Sequence, residues 1–115
     1  MANPVVHFEV VGKDLDRLTS FYSELFEWRT QAVPEMGYTL VEKEDQGIAG
    51  GIGRDQDGGG GHVTFYVMTP DPQAKLDRAV ELGGRVIMPV TELPQVTIAQ
   101  FADPEGHVVG ITKGM

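Results

Sequence analysis

The sequence has no cysteine, which excludes a disulfide framework and a thiolate metal site. Any metal would have to rest on histidine, carboxylate or water, and there are only three histidines. Basic residues are also few, 9 against 17 acidic ones, and the formal charge of −8 repels phosphate backbones and anionic lipid surfaces. No apolar run reaches the length a membrane span needs, and the opening MANPVVHFEV lacks the basic-then-apolar pattern of a secretory leader. These absences predict a soluble, cytoplasmic protein with neither nucleic acid nor membrane as partner. Nucleotide motifs are missing as well. The glycine run at 58–61 lacks the Lys and Ser/Thr that phosphate cradling requires.

What is present suffices for one domain over residues 1–115, with 41% hydrophobic residues to bury. Two halves of the chain align without a gap: VHFEVVGKDLDRLTSF at 6–21 lies over VTFYVMTPDPQAKLDR at 63–78, setting Phe8 on Phe65, Val10 on Val67 and Asp14 on Asp71. Between them RDQDGGGG at 54–61 has nothing to bury and reads as a flexible linker, leaving repeat one at 4–53 and repeat two at 62–113.

Each half opens on a strand pattern of period two, residues 4–11 and 62–68. Val6, Phe8 and Val10 share one face, as do Val63, Phe65 and Val67, and these faces are expected under the following helix. The opposite faces carry His7 and Glu9 in the first half, and His62, Thr64, Tyr66 and Met68 in the second. A helix is predicted from Asp14 as N-cap to about Glu27, with Leu15, Leu18, Tyr22, Leu25 and Phe26 at helical spacing. A second is predicted from Asp71, with Pro72 at its first position, to the stop at Gly83-Gly84. Three strand candidates follow each helix, at 29–33, 38–42 and 48–53, then at 85–90, 96–101 and 107–113. The order βαβββ therefore occurs twice, giving an α+β fold of two tandem repeats. Two small sheets, each open on one face, are expected to close a shared, barrel-like cavity, a natural place for a ligand.

These segments resemble the vicinal oxygen chelate superfamily, the glyoxalase, bleomycin resistance and dioxygenase group. The resemblance is carried by HFEV and DLDRLTSFYSELFEWR in the first half, and by AVELGGRVIMPVTELPQVTIAQFADPEGHVVGI in the second. The turn within FADPEGHVVGI is the most specific piece. The resemblance implies a central cavity and, in most of the group's enzymes, one divalent ion (Zn, Fe, Mn, Ni or Mg) held from the first and last strands of both units. Carried over residue by residue, those positions fall on His7, Thr64, Gly51 and Gly110, so only His7 keeps a ligand.

A site made instead of His7, Glu9 and His62 is one alternative, since Glu9 lies two residues along the face of His7. The other is a cavity-wall His7 bonded to Glu9, to Tyr66 or to a ligand, with a further role as acid or base. The ligand-contacting set is taken as His7, Glu9, His62, Thr64, Tyr66 and Met68. His62 also reads as a solvated strand start, His107 as a turn residue and Trp28 as core, while Tyr38 has no assigned place. Glycines at 50, 51, 53 and 110 permit close approach of backbone or ligand, or serve only to tighten the sheet. Two functions stay open. One is a metal-free protein binding a small organic molecule; the other is a divalent-metal-dependent lyase, isomerase or dioxygenase using His7. A homodimer is expected in either case.

Overall fold

The computed structural model describes residues 2–55 and 59–114. It runs β1 (Val5–Gly12), α1 (Leu15–Phe26), β2 (Thr30–Val33), a 3-10 turn (Pro34–Met36), β3 (Tyr38–Val41), β4 (Ala49–Arg54), β5 (His62–Met68), α2 (Pro72–Glu81), β6 (Arg85–Glu92), β7 (Thr97–Ala102) and β8 (Val108–Lys113). The predicted βαβββ order is thus found twice. Residues 7–63 form one compact unit, and residues 64–115 with 1–6 form the other.

In the first unit the strands run in the order β2-β3-β4-β1, with β1 parallel to β4 and the other neighbours antiparallel. The second unit repeats this as β6-β7-β8-β5, with β5 parallel to β8. The parallel pairs matter for the site. They set Glu9 beside Gly51 and Tyr66 beside Gly110.

Both helices start where the sequence places them. The Asp14 carboxylate accepts the Arg17 N–H at 3.1 Å, and the Asp71 carboxylate accepts that of Ala74 at 3.1 Å. α1 ends on Glu27 in the left-handed conformation (φ 58°), whereas α2 hands over to Gly83 (φ 102°), where that conformation carries no Cβ penalty. In the first unit Leu15, Val41 and Ile52 are buried, with Phe8, Leu18, Tyr22 and Trp28 packed around them. Trp28 is core, as expected, its ring stacked on Tyr22 at 5.4 Å and tilted against Phe8 at 5.1 Å. The second unit centres on Leu76, Ala99 and Ile111.

Two burial expectations fail. α2 lies across β6, β7 and β8 and leaves the start of β5 uncovered, so Val63 is 76% and Phe65 42% exposed. Likewise only the first half of the apolar stripe of α1 is covered, and Leu25 and Phe26 remain exposed. In the connecting segment, residues 56–58 lie outside the described residues. At its described ends the Asp55 carboxylate accepts the N–H groups of Gly60 and Gly61, and the Asp55 N–H bonds to the Gly12 carbonyl. The conspicuous FADPEGH turn is held by Asp103, whose carboxylate accepts the N–H groups of Glu105 and His107 and pairs with the His107 ring at 3.0 Å. His107 is therefore an exposed turn residue, as predicted.

Candidate functional site

The first unit gathers four polar side chains, two from β1, one from β3 and one, His62, from the first position of β5. His7 and Glu9 come from β1, two residues apart and so on one face. Tyr38 comes from β3, which is not a neighbour of β1, because β4 lies between them. Its phenol reaches β1 by lying over the glycines of β4. A Cβ built at Gly51 would fall inside the Tyr38 ring, and one at Gly53 would come within 3.1 Å of it. The glycine-rich strand AGGIGR is thus a bed for this ring.

The result is a connected series. The His7 Nε2 lies 2.9 Å from the Tyr38 hydroxyl, that hydroxyl donates to the Glu9 carboxylate at 3.0 Å, and the other Glu9 oxygen meets the His62 Nε2 at 3.2 Å. Proton counting sets the directions. A phenol has one hydrogen, and Tyr38 gives it to Glu9, so its oxygen accepts from His7 and the His7 Nε2 carries the proton. His7 is 6% exposed. Burial lowers its pKa from the ordinary 6.5, partly offset by the nearby Glu9 charge, so at neutral pH the imidazole is uncharged. Glu9 is largely covered, and His62 stands at the rim.

Of the six residues expected to contact a ligand, His7, Glu9 and His62 are brought together here. The other three belong to the second unit and have contacts of their own. The Tyr66 ring lies over Gly110, where a Cβ would fall inside it, and crosses β8 so that its oxygen accepts the Gln100 amide at 3.0 Å. Thr64 turns its hydroxyl to the Val108 carbonyl at 2.6 Å, and Met68 bonds through its N–H to the Pro4 carbonyl. Sequence reasoning missed Tyr38 and Gln100. The available signal was Gly51 and Gly53, two apart and so on one face, with Gly110 in the second unit, since a side chain reaching two strands away needs such a gap to cross.

The divalent ion that the resemblance implies does not fit this donor set. Two of the four carried-over positions lie under tyrosine rings, Thr64 is committed to a backbone carbonyl, and the His7 Nε2 is committed to Tyr38. Glu9 and His62 alone are too few. Among the described residues no group of three or more His, Cys, Asp or Glu side chains is placed to hold a metal ion. No described helix is long and apolar enough to cross a membrane.

Comparison with known proteins gives a consistent picture. The family model described as a glyoxalase-like domain matches residues 7–112. The anthracycline biosynthesis proteins DnrV of Streptomyces peucetius and DauV of Streptomyces sp. (strain C5) are each 31% identical over 92% of this chain. The chain spans 45% of the length of either relative. Among solved structures, a variant methylmalonyl-CoA epimerase of Streptomyces coelicolor in complex with 2-nitronate-propionyl-CoA superposes with a TM-score of 0.64 over 99% of both chains, at 17% identity. A glyoxalase/bleomycin resistance protein/dioxygenase superfamily member of Vibrio splendidus 12B01 gives 0.66 over 97% of this chain and 99% of that one, at 16% identity. Likeness at that identity speaks to the fold.

Proposed function

The chain belongs to the glyoxalase-like domain family, and on that premise we propose that it binds a small, planar, hydroxylated organic molecule on the open face of its first sheet, without a metal. The observation that carries this reading is the series His7–Tyr38–Glu9–His62. An uncharged imidazole and a carboxylate side by side offer hydrogen-bonding partners to ligand hydroxyls. The Glu9 carboxylate disfavours an anionic ligand on this face. Leu40, on the Tyr38 face and exposed, supplies an apolar surface for a flat ring system. The likeness to two anthracycline biosynthesis proteins supports a polycyclic aromatic ligand. Phe21, Leu25 and Phe26, exposed on α1, support a homodimer, and the composition supports a cytoplasmic location.

The second reading, a divalent-metal-dependent lyase, isomerase or dioxygenase using His7, keeps His7 as the acid or base, a task an imidazole titrating below its ordinary value can perform. One titration separates the two. With 1,8-dihydroxyanthraquinone as probe, saturable binding should survive exhaustive chelation and weaken about tenfold in Tyr38→Phe and in His7→Ala, the loss of one hydrogen bond to a desolvated group. Binding that vanishes on chelation and returns with a divalent ion overturns the metal-free reading in favour of the second. Absence of binding to the untreated protein overturns the ligand class.

A further inference from the structure

The second unit contains a cavity of about 380 Å³ between α2 and its sheet, on the face opposite to Tyr66. Its floor is Val67, Phe101 and Ile111, and Ala79 of α2 and Leu82, the residue that caps α2, lie over it. The repeat explains why the space is there. Continuing the ungapped alignment that sets Val6 on Val63 along the helices, Tyr22 falls on Ala79; α2 is 10 residues long against 12 in α1, and the segment 82–84 that joins it to β6 has no aromatic residue. In the first unit the rings of Tyr22 and Trp28 fill the gap between helix and sheet, stacked at 5.4 Å. In the second unit those rings have no counterpart. The same alignment puts Lys75 where the first half has Leu18, and Arg78 where it has Phe21; both cations line the cavity.

We propose that this cavity is a binding site for a small aromatic carboxylate, its ring taking the volume that Tyr22 and Trp28 fill in the first unit and its carboxylate meeting Lys75. The polar lining favours this polarity. Arg78 pairs with Glu81 at 3.1 Å, and the Asp103 carboxylate, which also lines the cavity and stays charged, is turned to the N–H groups of Glu105 and His107. Among the described residues no acidic side chain pairs with Lys75. Asn3 and Thr69 add neutral polar groups to the lining. The volume lies within the range of ligand pockets, and apolar walls with one unpaired cation suit a small amphiphilic anion. The site stands apart from the His7 series and does not depend on it.

The test is a titration of the ¹⁵N-labelled protein with 3-phenylpropionate. Saturable shifts should appear at the amides of Val67, Ala79, Leu82, Gly84 and Phe101, and not at those of Glu9 or Tyr38. The uncharged analogue 3-phenylpropanamide should bind about tenfold more weakly, and Lys75→Met should weaken the carboxylate by the same factor. Ala79→Phe, which restores a ring where the first repeat has one, should abolish the shifts while keeping or raising the thermal midpoint, with Ala79→Leu as a smaller plug. Four results overturn the proposal: no saturable shift, shifts centred on the His7 series, equal affinity for acid and amide, or unfolding of both plug variants, which would mean that the space is not there.

Discussion

At the scale of single residues, the site turns on one contact between residues of opposite size. Tyr38 reaches β1 only because Gly51 has no side chain, and Gly51 is constrained only because Tyr38 lies on it. Tyr38→Phe removes the hydroxyl between His7 and Glu9 and should cost about 1–2 kcal/mol, since it strands a buried His7 N–H. Gly51→Ala displaces the same ring and should cost at least as much. Because both act through one contact, the double variant should fall short of the sum by about 1 kcal/mol or more in urea unfolding. Additive costs would show the two positions to be independent. His7 and Glu9 were legible from strand parity, and His62 from the repeat. Tyr38 was not, because period two fixes which face a residue shares but not how far its side chain reaches across neighbouring strands.

At the scale of elements, the helices were the most legible part, since their signals are local: a carboxylate at N-cap, proline at the first position, a glycine stop. Asp71→Ala removes the acceptor for the Ala74 N–H and should cost about 1 kcal/mol, read as a lower urea midpoint with unchanged slope. An unchanged midpoint would mean that water or a neighbour replaces the cap. The FADPEGH turn was legible as a motif, and its chemistry proved structural, with Asp103 bonding to the backbone of the turn. What local signals could not foresee is where each helix lies. Val63 and Phe65 read as core by alternation, yet α2 crosses the other three strands and leaves them in solvent. The hollow beside Ala79 was visible in sequence only by comparing the repeats position by position.

At the scale of the molecule, the two groups with displaced pKa values predict the course of stability with pH. His7 has its folded-state pKa lowered from 6.5, so below 6.5 the unfolded chain binds more protons than the folded one. Stability is therefore full above 6.5 and declines as pH falls toward the folded-state value. Asp103 is also lowered, from 3.8, chiefly by the His107 N–H, so its contribution is lost only in stronger acid. Denaturation between about pH 7.5 and about pH 5 should show a decline that His7→Gln removes and Asp103→Asn leaves in place. A decline that persists in His7→Gln would assign it to another group. The family and the βαβββ repeat were readable because they are written along nearly the whole chain; the four-residue series was not, because it exists only after three strands align.

The interlocking of each tyrosine with a glycine also constrains how this sequence can change. An acidic side chain introduced at 51 or 110 would collide with a ring already in place, while shrinking the ring first would uncover a gap and abandon the partners of its hydroxyl. Each substitution is harmful until the other is made, so neither strand gains a carboxylate at these positions one change at a time.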